Sequence, residues 1–435
     1  MKKALTLLTV FLTGAAPLAA EAQDAFDWKR YDGQTITFLS SNHPWPNAVL
    51  PNIAEFTKLT GIKVRVETYN EQQMWQRLAT MLQAKSPEVD VYMTLNAREG
   101  QLYFTSGWYQ NLATLIDDPK MTSPDYDFAD FNPALVPRAD FKGQVTYIPV
   151  NIEGPVVYYR KDVFEQCKLT PPKTLEEIEP VAAKLKACKP DLVPWVSRGL
   201  RDAVPYTYGP FYYNMGGDWT KIAEKKDMCS EAGAKSLQYY TDLLNKYGPP
   251  GASNYTFYQI TEIMGQGRAA MSFEASNEFG KLVSYPNRQD DIGIEVLPPD
   301  AATKISKPLT IGWGVAISAF SKNVGPSWYF LQWATSKAMD EKIAFNGVAP
   351  PRKSVFNGDK FKSWTAEKPN RQQWVDALGV LAATGVGTAA PPDAIPAPEA
   401  NDIIGSTVQD VLLGQTDAKT AGCDADEKMK KLLGK

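Results

Sequence analysis

Between residues 35 and 95 the hydrophobic period of the chain switches repeatedly, and that alternation constrains the fold more than any other feature. Residues 35–40 (TITFLS) read as a strand. Residues 49–60 place Leu50, Ile53, Phe56 and Leu59 near helical spacing, with Gly61 positioned to end the helix. Residues 62–69 set Ile62, Val64 and Val66 against Lys63, Arg65 and Glu67, the pattern of a strand with one wet face. Residues 71–85 are amphipathic through Met74, Leu78, Met81 and Leu82, and 90–95 (DVYMTL) supply a third strand. A β-α-β-α-β order predicts an open parallel sheet with helices on its faces. Such sheets take ligands at the carboxyl ends of their strands. Two short segments fall there, 41–45 after the first strand and 96–99 after the third.

The rest of the chain repeats the mixture. Residues 145–160 form a long apolar run broken by Asn151-Ile152-Glu153-Gly154. A capping box, Thr174 with Glu177, opens a helix over 174–187, and Pro180 within it predicts a kink or a late start. A helix over 231–247 ends at Gly248. Strands follow near 269–274, 292–297 and 309–318, then helices over about 325–346. Residues 382–400 are an Ala/Gly/Pro loop, and the last dozen residues read as helical.

The N-terminus is a targeting segment. Lys2 and Lys3 precede a short apolar run, residues 4–12, and Ala20-Glu21-Ala22 offers an A-x-A cleavage site. The run is too short to span a bilayer. Removal of 22 residues from 435 leaves 413, which is more than one core ordinarily supports, so two lobes are expected. Losing Lys2, Lys3 and Glu21 takes the formal net charge from −3 to −4. A mildly acidic chain without basic clusters is a poor partner for nucleic acid. Four cysteines, Cys167, Cys188, Cys229 and Cys423, all lie beyond the targeting segment, and an oxidising compartment favours disulfides. Three pairings are open. Cys167 with Cys188 would close a loop over one helix and leave Cys229 with Cys423 as a long-range tie.

Most catalytic chemistry is excluded by the residue inventory. His43, in SNHPWPN, is the only histidine, so paired-histidine metal motifs cannot form. No G-x-S-x-G elbow and no phosphate-binding glycine loop occurs. Glu153 and Glu274 could serve as the carboxylate pair of a glycoside hydrolase, but separation along a sequence does not establish the carboxyl geometry such chemistry needs. Neither cofactor nor metal is expected. The aromatic surplus, 11 Trp, 20 Tyr and 18 Phe, suits a pocket for ring-shaped ligands.

Eight segments in order along the chain resemble the extracellular solute-binding proteins of ABC importers, in the sugar-binding, maltose-binding-protein-like group. They are FTKLTGIKVRVE, PEVDVYMTLNAREGQLYFTSGWYQNL, YIPVNIEGPVVYYRKDVFEQ, KTLEEIEPVAAKLK, YNMGGDW, GRAAMSF, GWGVAISAFSKNVGPSWYFLQWATS and GVAPPRKSV. The third is the most telling, an apolar strand, a polar break and then Tyr-x-Lys-Asp-Val-Phe in family style. The resemblance implies two α/β lobes joined by crossing strands, with residues 23–149 and 297–322 in the first lobe and 150–296 and 323–435 in the second. Both cysteine pairs named above then fall within the second lobe. It further implies a monomeric periplasmic protein that closes on a carbohydrate by a hinge and delivers it to membrane permease subunits. A polyamine or small anion is the alternative ligand.

The implied pocket draws Asn42, His43, Trp45, Asn96 and Arg98 from the first lobe. Glu153 matches, through IPVNIEG, a family position whose carboxylate binds sugar hydroxyls. Tyr206, Glu274, Asn277, Trp313 and Arg352 complete the set. Flat aromatics cover the C–H faces of a sugar, while Glu, Asn and Arg pair with its hydroxyl rim. On this reading Trp45 outranks His43 as a ligand contact.

Overall fold

A computed structural model describes residues 25–136, 141–219, 227–387 and 397–434. The targeting segment and residues 388–396 of the 382–400 stretch lie outside the described residues; helices reach into both of its ends, to Thr384 and from Ala397. Two mixed sheets, each flanked by helices, form the two-lobed α/β architecture.

The first sheet has the order β2-β1-β3-β9-β4, with β1 at Thr35–Ser41, β2 at Lys63–Tyr69, β3 at Val91–Leu95, β4 at Ile148–Pro149 and β9 at Trp313–Ile317. β1 runs parallel to β2 and β3, and β9 is antiparallel to its neighbours β3 and β4. The alternating period at the N-terminus therefore builds the parallel unit it predicts. Gly61 ends its helix in the left-handed region at φ 77°, where a Cβ would meet the Asp32 carboxylate at 1.8 Å. One difference matters for function. The expected helix over 49–60 begins earlier, as a helix at Pro44–Val49, a 3-10 turn at Leu50–Asn52 and a helix at Ile53–Thr60. Pro44 occupies the first helical position, which tolerates a missing N–H, and Pro51 coincides with the break.

The second sheet has the order β6-β7-β5-β8, with β5 at Pro155–Arg160, β6 at Val193–Val196, β7 at Ala269–Ala275 and β8 at Ile292–Val296. It is covered on both faces. Val157 and Tyr159 of β5 enter one core and Val156 and Tyr158 the other, so the period of two sorts one strand between two helical layers. The helix Leu175–Cys188 carries Pro180 inside it. Thr174 stands at its N-cap without a side-chain cap bond, while Glu177 accepts from the Lys173 N–H at 2.7 Å. The disulfides are Cys167–Cys188 and Cys229–Cys423.

The chain passes between lobes in adjacent strips. Glu153 and Ile311 exchange backbone hydrogen bonds of 2.9 and 2.8 Å, and Val386 donates to Pro308 at 2.7 Å. Residues 309–312, expected as strand, form this crossing, and β9 begins only at Trp313. The lobe boundary also differs from expectation. Trp328, Phe330, Trp333, Ile343 and Val348 pack into the core of the first sheet, although 323–435 was assigned to the second lobe. The helix Val324–Ala334 follows β9 directly and lays its apolar surface on the sheet it has just left. The chain reaches the second lobe only after Val348, and Ala349, Val355 and Trp374 join its core. No helix among the described residues is long and apolar enough to cross a membrane.

Candidate functional site

The cleft between the lobes is walled by the segments that follow the strands of both sheets and by the crossing strips. It holds about 700 Å³ of space, its open mouth included. A cleft of this volume falls in the range of small-molecule sites. That is the space of a small solute.

His43 closes β1 in extended conformation and caps the helix Pro44–Val49, its Nδ1 accepting the Trp45 N–H at 3.3 Å. Nε2 faces the Asn277 amide at 2.8 Å and the Glu153 carboxylate at 3.5 Å. The lobes thus touch across the cleft, as they do where the Glu71 N–H donates to the Tyr258 hydroxyl at 3.2 Å. Asn151 holds the Glu153 carboxylate from its own strip at 2.8 Å and accepts the Trp313 N–H at 2.9 Å.

Aromatic rings line the same space. Trp75 and Trp313 are parallel within 4° with centroids 6.3 Å apart, and the Arg98 guanidinium lies 3.7 Å over Trp75. Across the cleft Arg198 sits 4.3 Å over Tyr206 and grips Glu274 with two nitrogens, Nε at 2.9 and 3.0 Å. Nη2 adds a further bond to the same carboxylate. Glu278 accepts from the Thr261 hydroxyl at 2.8 Å. Burial pushes its carboxyl up to about 8, with the charges of Glu274 and Glu153 adding to the rise. Burial also raises Glu71, against the lowering pull of Arg198 and His43. Three polar atoms of this wall have no hydrogen-bond partner: Trp75 Nε1, the Tyr206 hydroxyl and Asn277 Oδ1.

Of the residues expected from the sequence, the cleft brings together His43, Arg98, Glu153, Tyr206, Asn277 and Trp313. The other five lie elsewhere. Trp45 is 1% exposed and packs edge-on to Phe38 in the first core, because the helix starting at Pro44 turns position 45 inward. Trp45, expected to outrank His43 as a ligand contact, thus does not line the cleft, whereas His43 does. Asn42 is exposed and bonds to Asn47 at 2.9 Å beside an outer groove. Asn96 faces a separate depression near Tyr147 and Thr310. Glu274 is engaged by Arg198 and capped by the Ala275 N–H at 2.7 Å. Arg352 is fully buried and bonded to the carbonyls of Thr335, Asp127 and Tyr126.

Sequence reasoning missed Glu71, Trp75, Arg198, Phe257 and Glu278, all on the cleft wall. The signal for the first three was present. Glu71 and Trp75 follow β2 and Arg198 follows β6, so the strand-end rule applied to the first and third strands reaches them as well.

Two lobes, adjacent crossing strips and a polar, aromatic cleft between them define a binding protein that closes around a solute. The chain belongs to the bacterial extracellular solute-binding protein family, whose model matches residues 52–369. It is 27% identical over 382 residues to the erythritol/L-threitol-binding protein of Mycolicibacterium smegmatis, covering 79% of this chain and 76% of that one. The solved structure of an ABC transporter solute-binding protein from Agrobacterium radiobacter K84 in complex with ribitol superposes with a TM-score of 0.80 at 27% identity, over 92% of this chain and 99% of that one. Maltose-bound MalE3 of T. maritima shares the fold with a TM-score of 0.81 at 21% identity, over 92% and 100% of the two chains.

Proposed function

We propose that the protein captures a small polyhydroxylated solute, a sugar or sugar alcohol, and hands it to the membrane subunits of an ABC importer. One observation carries this reading. Parallel tryptophans stand beside polar atoms from both lobes, several without a partner, in a space sized for a small molecule. Aliphatic C–H faces suit the rings, and hydroxyls can donate to Glu153 and accept from the Trp75 indole N–H. A solute that bonds to His43, Trp75 and Glu153 on one side and to Tyr206 and Asn277 on the other favours the closed arrangement over the open one. The names of the relatives, which bind erythritol, threitol or ribitol, point the same way.

The working chain begins near Gln23 after cleavage and acts outside the cytoplasmic membrane as a monomer. The first lobe comprises the chain up to about 149 with about 313–348, the second about 155–296 with the residues after 349. No bond in the ligand is broken. The bidentate Arg198–Glu274 pair removes one of the two carboxylates a hydrolase reading would use. A thermal-shift screen of tetritols, pentitols, hexitols and monosaccharides tests the proposal, since a ligand that binds only the folded form raises the melting temperature. Failure of every member to shift it, or turnover of a glycoside, rejects the reading.

A further inference from the structure

The cleft carries more carboxyl groups than its own cations match. Arg198 is bound face-on to Glu274, and Arg98 lies over Trp75 with the Glu99 carboxylate 3.7 Å away. Glu71, Glu153 and Glu278 remain, at 6%, 4% and 4% exposure, and none makes an ion pair with Lys or Arg among the described residues. Glu153 accepts from the neutral Asn151 amide at 2.8 Å and, among the described residues, has only the 3.5 Å approach of His43 from a basic side chain. Asp202 at the rim adds a further acid. Burying carboxylates without a counter-charge is costly, and burial lifts both Glu71 and Glu278 above their ordinary range. A neutral polyol offers hydroxyl hydrogens but no charge. An ammonium group offers three donors and the missing positive charge at once, and the aromatic walls at Phe257 and Trp313 tolerate a cation.

We propose that the preferred ligand is an aminated polyhydroxylated solute, a sugar or sugar alcohol bearing a basic nitrogen, whose ammonium is held among Glu71, Glu153 and Glu278. This rests on the carbohydrate reading above and narrows it. The test uses the mature chain and matched pairs differing by one amine for hydroxyl: glucosamine against glucose, and 1-amino-1-deoxysorbitol against sorbitol, with N-acetylglucosamine as the uncharged control. Calorimetric titration at neutral pH is expected to give at least one amine a tenfold or greater advantage over its neutral partner and over the acetylated form. Glu278→Gln and Glu71→Gln, each checked to be folded without ligand, should weaken the amine several-fold more than its neutral partner. If neutral members bind and no amine exceeds its partner, this inference falls and the carbohydrate reading stands. If no member of either set binds, both fall.

Discussion

The cleft and the segment around Arg352, where the chain enters the second lobe, both enclose charged and polar side chains, yet they are built for opposite ends. In that segment Arg352 is fully enclosed, and Nε, Nη1 and Nη2 reach the carbonyls of Thr335, Asp127 and Tyr126 at 2.9, 3.0 and 2.9 Å. Phe131 lies 4.0 Å from its guanidinium and Asp130 3.5 Å from Nη1. Each of these nitrogens has a protein partner. In the cleft the Tyr206 hydroxyl, Asn277 Oδ1 and Trp75 Nε1 have none. Native interiors rarely leave buried polar atoms unpaired. Charge and burial therefore do not by themselves mark a ligand site; what sets the cleft apart is that its unpaired polar atoms border open space between the lobes.

Substitutions that break this contrast should separate stability from binding. The largest effect is expected at Arg352. Arg352→Ala removes the ion pair of Asp130 and strands three carbonyls, and should cost about 3–5 kcal/mol in a urea melt, with little change in affinity of whatever protein remains folded. Trp45→Ala belongs to the same class, at about 3–5 kcal/mol, because it empties a core position against Phe38. A loss of ligand affinity from Trp45→Ala without loss of stability would place the ring back in the cleft. Cleft substitutions should do the reverse. Glu153→Gln is expected to weaken ligand binding about 10–100-fold, the worth of hydrogen bonds to a charged group, while moving the ligand-free melting temperature little. His43→Ala should cost about tenfold in affinity through the lost contact to the second lobe, more than Trp45→Ala costs the folded fraction.

The pair His43 and Trp45 also shows where sequence reading stops. The strands and helices of residues 35–95 were legible because period and turn residues act locally. The two residues stand two apart in a stretch that read as a loop, where both could face a ligand. Helix onset at Pro44 settles them: the cap residue stays at the strand end in the cleft, and position 45 rotates into the core with Pro46 and Val49. Arg352 was illegible for a different reason. Its partners Tyr126 and Asp127 lie more than two hundred residues away, so only the tertiary structure reveals that its donors are taken. Glu71, Trp75 and Arg198 were within reach of the strand-end rule and were lost by applying it to two strands only. The assignment of 324–348 to the second lobe ignored a local fact, that a helix directly after a strand packs on that strand's sheet.

The smallest expected effect concerns protons, and it sharpens the contrast because both regions contribute. Glu278 in the cleft and Asp340 beside Arg352 are each pushed up to about 8 by burial, and buried Glu99 stands at about 7. A carboxyl raised in the folded chain keeps a proton that the unfolded chain releases near its ordinary value, 4.5 for Glu278. Below that pH both states are protonated and the stability from this source is complete. Above it the unfolded state is favoured by losing the proton, so stability declines as pH rises through about 8. The melting temperature should therefore fall between pH 5 and pH 8. Glu278→Gln cannot ionise and should make that fall shallower by about 1–3 °C, with Asp340 and Glu99 sustaining the remainder. Asp340→Asn should flatten it by a similar amount, but with no effect on ligand binding at either pH. An unchanged slope in Glu278→Gln would mean that the carboxyl is ionised in the folded chain, held by a positive partner or by water reaching the cleft.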